Sequence, residues 1–478
     1  MATFVLFVVE TTKPEARVNQ PQTEESGRTE RLDVRKSHGE NEHPLEHGTP
    51  LPLVKVVRFR HDPCVPESAL KHPVPSPFRR HWTFAPALVF LNHGSFGACP
   101  RPVLKIQQEL RREMESSPVQ FLWRRFEDRL EPSRVELARF VGARSRDIVF
   151  VANATTGVNA VLRSLRFRRG DEVLTTSLIY NACRNVLIEV ARFHGARLVI
   201  ADVPFPLNSK SDIMEAVLAK VTRRTKLAML DHVTSDTGMI LPIKDLVREL
   251  STRGIETLVD GAHAPGMLPI NLAKLGAAYY AANLHKWVCA PKGAAFLWVR
   301  EDKQAEIQPS VISHGNNRSR PGYTSFQDRF DWPATFDPTA WFSVKGAIQW
   351  MRGLLPGGWR ALQAHNHRLV VDARKLLCAR LGVEPPCPDS MLGSLATIPL
   401  PNNVPDRPSQ EKIDAEQAAL YDRFLIEVPF SRFGVPPRRW FRISSQIYNS
   451  MAEYEYLAAA LNLIRTKSDA MTYARQRA

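Results

Sequence analysis

The stretch TLVDGAHAPGMLPINLAKLGAAYYAANLHKWVCAPKGAAFLWV, residues 257–299, decides how this chain folds. It begins with a short apolar run that ends in Asp260, followed by a Gly-Ala-His-Ala-Pro-Gly turn and a linking helix. A second apolar run then leads to His285 and Lys286. The pattern predicts two buried strands whose ends present side chains of opposite charge.

A carboxylate and an amine at neighbouring strand ends indicate one particular chemistry. Bound pyridoxal phosphate needs such a pair: the amine of Lys286 forms a Schiff base with the aldehyde, and Asp260 keeps the pyridine nitrogen protonated, so that the ring takes up carbanion charge. The alternative is a strand-end Asp and a strand-end Lys that share no ligand. The motifs that surround the pair favour the cofactor.

Strands and helices alternate on both sides of this pair. Seven apolar runs read as strands: 148–151, 172–176, 197–203, 227–233, 257–259, 280–283 and 294–299. Continuous apolar strands separated by helices predict an α/β protein with a mostly parallel seven-stranded sheet and helices on both faces. Ligands of such sheets gather at the carboxyl ends of the strands.

The alternation stops after Val299, and the remainder divides the chain further. A polar, aromatic loop region is expected at 318–341 and a long amphipathic helix at 359–381. Short strands near 394–398 and 440–443 and a final helix from Ala452 predict a smaller C-terminal α/β domain. We expect a disordered tail at 1–78, because it is polar and without period. A segment packing against the small domain and the active site follows at 79–105, then a large cofactor domain at 106–345 and the small domain at 346–478.

Composition excludes several classes of protein. The net charge is +15, yet the basic residues form no aromatic-interleaved stripe, so no nucleic-acid partner is expected. No apolar run approaches the roughly 20 residues that span a bilayer, so no membrane partner is expected either. The six cysteines lack metal-binding spacing, which predicts no metal site and a reducing compartment, most simply the cytoplasm. Organellar targeting by the tail remains the alternative.

Further polar residues fall at strand ends beside the pair. Asn153-Ala154-Thr155-Thr156-Gly157 opens a helix, where free amides and the helix dipole suit a phosphate; an ordinary helix cap is the alternative. Asn283 and His285 flank the lysine closely enough to reach the same phosphate. Ser235 and His263 are placed to bond the phenolic oxygen of the cofactor ring, and an ordinary turn is the alternative for each.

Two residues outside these motifs complete the candidate site. Tyr180 follows a predicted strand, where its ring would stack on the pyridine, although a lone aromatic is more often a core residue. Arg442 lies on a predicted strand of the small domain. Its guanidinium would take a substrate carboxylate through two hydrogen bonds, and a surface arginine is the alternative.

Seven pieces of the chain together carry a family resemblance. They are LNHGSFGACP (91–100), NATTGVNAVL (153–162), DHVTSDTG (231–238), DGAHAPG (260–266), NLHKWVCAPKG (283–293), DWPATFDPTAW (331–341) and FRISSQIYN (441–449). The chain resembles class V aminotransferases of the fold-type I pyridoxal-phosphate superfamily, and within them the isopenicillin N epimerase-like group.

The resemblance implies a role for each matching position. Lys286 would be the Schiff-base lysine, Asp260 the pyridine partner, and Tyr180 the stacking ring with a catalytic part. The resemblance also implies cofactor contacts from Thr155, His263, Asn283 and His285 and a substrate contact from Arg442. Beside these, we expect cofactor contacts from Ala154 and Ser235 and substrate contacts from Asn92, His93 and Gly94. Such enzymes are homodimers that share their active sites, so Thr335 would reach the phosphate of the neighbouring subunit. Ala334 stands where the family pattern has glycine.

The fold hosts several reactions, so the residues leave alternatives open. Epimerisation of an amino acid requires Lys286 and a second acid on the opposite face, supplied by Tyr180 or a water. C–S lysis, as in cysteine desulfhydrases, requires only Lys286 and a leaving group at Cβ, and transamination is a third possibility. Cysteine desulfurase chemistry is disfavoured, since no cysteine follows Cys387. The resemblance favours epimerisation, and a non-catalytic scaffold comes last.

Overall fold

A computed structural model describes residues 70–401, 414–434 and 437–477, with side chains described to residue 465. Most of the predicted tail therefore lies outside the described residues. The described residues contain twelve strands: β1 (Val89–Phe90), β2 (Ile148–Val151), β3 (Glu172–Thr176), β4 (Arg197–Ala201), β5 (Thr225–Asp231), β6 (Glu256–Asp260), β7 (Tyr279–Asn283), β8 (Ala295–Val299), β9 (Leu395–Pro399), β10 (Ile426–Glu427), β11 (Phe430–Phe433) and β12 (Arg438–Ser444).

Seven of these strands form the central sheet, in the order β2-β8-β7-β6-β5-β3-β4. Only β8 runs against the others: it is antiparallel to both β2 and β7, whereas the remaining neighbours pair in parallel. The mostly parallel seven-stranded sheet predicted from the apolar runs is thus confirmed. Its carboxyl edge brings the ends of β5, β6 and β7 side by side.

Fourteen α-helices accompany the strands in the described residues. They are α1 (His93–Phe96), α2 (Arg101–Ser116), α3 (Phe126–Val141), α4 (Ala154–Ser164), α5 (Asn181–His194), α6 (Lys210–Leu218), α7 (Ile243–Ser251), α8 (Leu272–Leu275), α9 (Ser325–Asp331), α10 (Thr339–Phe342), α11 (Val344–Arg352), α12 (Gly358–Leu381), α13 (Ala415–Phe424) and α14 (Met451–Arg477). None of the helices in the described part of the chain is both long enough and apolar enough to cross a membrane.

The central sheet is buried on both faces because its strands are apolar at nearly every position. Leu230 and Val259 belong to the core cluster on one face, and their chain neighbours Met229 and Leu258 belong to the cluster on the other. Alternate residues of a strand point to opposite faces, so both faces need a helical cover. Helices α4 and α5 pack on the second face.

A smaller antiparallel sheet, in the order β11-β12-β9, stands apart from the large one. The paired strands β1 and β10 form a third, two-stranded sheet, with Val89 opposite Ile426. This pairing ties the segment that precedes Asn92 to the C-terminal part of the chain. The smaller C-terminal α/β region predicted from the sequence is therefore present, while the exact domain boundaries stay predictions.

The segment 318–341 differs from the loop region that was predicted, because it contains helix α9. Thr324 caps the first turn by accepting from the Gln327 amide, and the Gln327 side chain accepts from the Thr324 amide in return. Buried ion pairs fix the same segment: Arg320 contacts Asp328, and both Arg320 and Arg134 contact Asp331. The aromatic and proline content of the stretch concealed this capping pattern.

Candidate active site

Lys286 lies in the turn that follows β7, with its amino group facing the carboxyl edge of the sheet. Its Nζ atom is 2.9 Å from Nε2 of His263. Burial, and after it the nearby Arg442 guanidinium, lower the pKa of Lys286 to about 7 against the attraction of Asp260. A substantial fraction of the amine is therefore unprotonated at neutral pH, as a nucleophile requires.

Asp260 ends β6 and is buried beside the lysine. Its Oδ1 accepts a hydrogen bond of 2.9 Å from the amide of Ala262, and its Oδ2 accepts one of 3.2 Å from the thiol of Cys183. Burial raises the pKa of Asp260, whereas these two donors and Lys286 lower it. The carboxylate is thus held in place, with its charge supported from two sides.

A second carboxyl group lies next to the first one, and the sequence did not reveal it. Asp231 ends β5, is the register partner of Asp260 on β6, and is also buried. Its Oδ2 has no hydrogen-bond partner among the described residues. Burial and the charge of Asp260 raise the pKa of Asp231 well above its usual value. The sequence did show two apolar runs that each end in Asp. It did not show the register between the two strands, which places the two carboxyl groups side by side.

The predicted binding site for the phosphate of the cofactor lies at the start of α4. Asn153 caps this helix by accepting from the Thr156 amide at 2.8 Å, and Asn283 accepts from the Ala154 amide at 2.8 Å. Asn283 at the end of β7 therefore abuts the helix N-terminus. Beside it, Nδ1 of His285 is buried without a partner among the described residues, and burial lowers the pKa of this histidine to about 4.

Arg442 on β12 reaches from the small sheet to the edge of the large one. Its guanidinium donates to the backbone oxygen of Ser235, to Oγ of Ser95 at 3.0 Å and to Oδ1 of Asn92 at 3.4 Å. The group is buried, its Nε has no partner among the described residues, and burial lowers its pKa to about 10. It is a buried cation with an unused donor, not the surface arginine of the alternative interpretation.

The loop 92–97 is pressed against the backbone of the lysine turn. Nε2 of His93 donates to the backbone oxygen of Lys286 at 2.9 Å, and the Tyr448 hydroxyl donates to Nδ1 at 2.8 Å. Both ring nitrogens are occupied by protein groups, so the ring of His93 positions the lysine turn. A direct substrate contact stays a prediction for Asn92, His93 and Gly94. The backbone amide of Gly94 donates to Oγ of Ser444 at 3.0 Å.

Two residues of the prediction, Tyr180 and Thr335, are exposed. The side chain of Tyr180, which directly precedes α5, is 46% exposed, and Thr335 is exposed as well. Ala334 adopts a φ of 118°, a backbone conformation that favours glycine. The stacking role of Tyr180 and the contribution of Thr335 to a neighbouring subunit remain predictions.

The arrangement suits pyridoxal phosphate on three structural grounds. The buried imidazole nitrogen of His285 needs a polar partner and lies beside a helix N-terminus, where an anion is favoured. The amine of Lys286 is positioned as a nucleophile. The buried carboxylate of Asp260 is available for a protonated ring nitrogen. Fold and site together define a protein of the fold-type I class of pyridoxal-phosphate enzymes.

Comparison with known proteins gives the family. Residues 90–405 match the model of the family described as Aminotransferase class-V. An isopenicillin N epimerase of Amycolatopsis lactamdurans is 33% identical over 397 residues, which cover 80% of this chain and 96% of the relative. The putative L-cysteine desulfhydrase 1 of Oryza sativa subsp. japonica is 28% identical over 403 residues, covering 78% and 82%. The chain therefore belongs to the class V aminotransferase family of pyridoxal-phosphate-dependent enzymes.

Solved structures agree in fold. The apo cysteine desulfurase of Thermococcus onnurineus NA1 matches with a TM-score of 0.67 and 22% identity, over 82% of this chain and 98% of that one. The cystine C–S lyase C-DES, solved with cysteine persulfide, matches with a TM-score of 0.65 and 21% identity, over 78% and 97%. The fold class and the family predicted from the sequence are both confirmed.

Proposed function

We propose that this enzyme epimerises an amino acid at Cα, with pyridoxal phosphate bound at Lys286. The observation that carries the proposal is the meeting of three groups: Lys286, whose pKa is lowered to about 7, the buried Asp260, and the unused Nε donor of the buried Arg442. The sequence similarity to an isopenicillin N epimerase, which extends over most of the chain, supports this choice among the reactions of the family.

Each residue of the site has a separate role in the proposed reaction. Pyridoxal phosphate supplies an electron sink for the charge that develops at Cα. Asp260 holds a proton on the pyridine nitrogen, and His263 donates to the phenolic oxygen. The start of α4 and His285 hold the phosphate. Arg442 binds the substrate carboxylate, which fixes the substrate relative to the base.

Proton movement at Cα completes the reaction. Lys286 would remove the Cα proton on one face, because its lowered pKa leaves a substantial fraction of the amine unprotonated at neutral pH. Tyr180, or a water beside it, returns a proton on the other face. The hydroxyl is accessible for this step, because the side chain is 46% exposed.

Elimination at Cβ with C–S cleavage is the second candidate. Desulfhydrase relatives at 28% identity support it, and it needs only one base. Desulfurase chemistry is less favoured. It requires an accessible cysteine nucleophile, whereas all five cysteines in the described part of the chain are buried. The homodimer with shared sites and the cytoplasmic location are part of the proposal too.

One experiment separates the two reactions. The full-length, cofactor-loaded protein is incubated with L-amino acids and cysteine conjugates in deuterated water. Deuterium at Cα together with both enantiomers is the expected result. Pyruvate with sulfide or a thiol would establish the lyase instead. The Lys286→Ala variant is the control and should give neither product, and wild-type protein that gives neither would refute both candidates.

A further inference from the structure

The buried indole of Trp287 makes a contact that determines where protons reside at the active lysine. Its Nε1 donates to Nδ1 of His263 at 3.3 Å, and both side chains are buried. An indole N–H is a donor only, so the Nδ1 atom that receives it must be unprotonated. The imidazole of His263 is therefore neutral, and its single proton is on Nε2.

That remaining proton faces the lysine. Nε2 of His263 is 2.9 Å from Nζ of Lys286, and an N–H at Nε2 requires a free amine as its acceptor. If Lys286 were an ammonium, it would donate to Nε2 while Trp287 donated to Nδ1. The imidazole would then have to lack both protons, a state that is not available near neutral pH. The geometry therefore couples the indole to the charge of the lysine.

We propose that Trp287 acts through His263 as a positioning residue that keeps Lys286 in its free-amine form. The effect of the indole reaches Lys286 through the His263 ring. The hydrogen bond that Nδ1 accepts from Trp287 places the ring proton on Nε2, and an N–H at Nε2 needs an acceptor. The same Nε2–H would donate to the cofactor. This point and cofactor capture by Lys286 rest on the proposed function, whereas the tautomer of His263 does not.

Other charged groups face the same two side chains and must be considered. Arg442, His93 and His285 surround His263, and Arg442 also disfavours an ammonium at Lys286. Asp260 and Cys183 act in the opposite direction on the lysine. None of these groups is itself altered when the indole is replaced, and an aromatic substitute retains a ring against His93, whose ring centroid lies 4.9 Å from that of Trp287. A variant at Trp287 therefore isolates the effect of the indole N–H.

The test is the pH dependence of cofactor capture by the full-length, cofactor-free protein, followed as the growth of visible absorbance after mixing with pyridoxal phosphate. The wild-type rate should have its midpoint near pH 7, the value to which the pKa of Lys286 is lowered. Trp287→Phe removes the donor and keeps an aromatic ring. His263 can then hold its proton on Nδ1 and accept from an ammonium. The midpoint should move upward, and a midpoint that lies one pH unit higher lowers the rate at pH 7 about fivefold.

The shape of the profile separates this role from a structural one. Above the higher midpoint the rates of Trp287→Phe and wild type should agree, whereas a damaged site would be slow at every pH. Trp298→Phe is the matched control, because Trp298 is also buried but its indole N–H has no partner among the described residues. Its midpoint should stay at the wild-type value. An unchanged midpoint in Trp287→Phe would overturn the proposal.

The tautomer can be read directly as well. Nitrogen-15 labelling of histidine in the full-length protein should show that the signal missing from His263→Gln belongs, in wild type, to a neutral ring with its proton on Nε2. An Nδ1–H or cationic ring in wild type would overturn the proposal even if Trp287→Phe fails to fold. Neither readout depends on turnover. A protein that shows the tautomer but no epimerase or lyase activity would refute the proposed function alone.

Discussion

Asp231 and Asp260 are register partners on neighbouring parallel strands, and both side chains are buried at the carboxyl edge of the sheet. Two buried carboxyl groups this close disfavour double ionisation, so the pair retains a proton. Cys183 and the Ala262 amide donate to Asp260, whereas Oδ2 of Asp231 has no partner in the described structure. The contacts therefore favour the charge on Asp260 and the proton on Asp231.

Asp231→Asn should make the free energy of unfolding of the cofactor-free protein less sensitive to rising pH. The folded-state pKa of Asp231 is raised, so its contribution to stability is full below the unfolded value near 4 and is lost as pH rises through the folded value. The variant lacks this loss. Urea unfolding between pH 4 and 8 should show that the free energy of unfolding of the variant increases relative to that of wild type as the pH rises. Parallel pH dependences would contradict a raised pKa of Asp231.

Asp260→Asn should retain the fold and the cofactor but lose turnover. An amide cannot supply the negative charge that holds the pyridine nitrogen protonated, so we expect a decrease in kcat on the order of a hundredfold or more. Visible absorbance of the loaded protein checks that cofactor is present. Near-normal kcat in a fully loaded variant would remove Asp260 from the proposed role.

Arg442→Lys should weaken substrate binding. Lysine keeps the charge but cannot make two parallel hydrogen bonds to a carboxylate, and the loss of a charged hydrogen bond costs about 1.5–3 kcal/mol, or about 10- to 150-fold in KM. Arg439→Lys is the matched control, because Arg439 lies on the same strand but pairs with Asp414 and Glu416. Equal effects of the two substitutions on KM would argue against a carboxylate site at Arg442.

Lys286→Met should stabilise the cofactor-free protein at neutral pH. The folded-state pKa of Lys286 is lowered to about 7, so the unfolded chain binds the proton more tightly. The resulting penalty grows as pH falls from about 10 to about 7 and is then constant, on the order of a few kcal/mol. Methionine carries no such penalty. Denaturant unfolding at pH 7 and pH 10 should show a gain that shrinks at the higher pH; a gain independent of pH would have another cause.

Ala334→Gly should raise the free energy of unfolding by about 1 kcal/mol. Ala334 has a φ of 118°, where a Cβ atom is unfavourable and glycine is not. The exposed Ala364 within α12 provides the opposite control, since glycine inside a helix lowers stability by about the same amount. A decrease in stability for both variants would show that the backbone at Ala334 is not strained.

The sequence predicted what depends on local pattern. The strands that carry Asp260 and Lys286 are continuous apolar runs, so their burial and parallel pairing follow from composition and from the intervening helices. Their polar ends could be placed at one edge of the sheet for the same reason. Family motifs added the start of α4 and Arg442, which the structure brings to that edge.

What depends on pairing between distant segments was not predicted. Cys183 reads as an ordinary apolar position of α5, and only the meeting of the start of this helix with the end of β6 gives its thiol a carboxylate partner. Asp231 reads as the end of one strand, and its meeting with Asp260 requires the register between two strands. Trp287 was merely part of a motif until its indole was seen to donate to His263.

Two glycines limit the space around the backbone of Lys286. A Cβ on Gly97 would lie 2.0 Å from the backbone oxygen of His285, and a Cβ on Gly266 would lie 2.6 Å from the backbone of Trp287. The backbone at 285–287 is therefore closely packed on two sides, by Gly97 and by Gly266. Only the side-chain torsions of Lys286 can change. A change of substrate specificity would therefore have to come from the side chains around the site, because the backbone that carries Lys286, the proposed nucleophile, has no room to move.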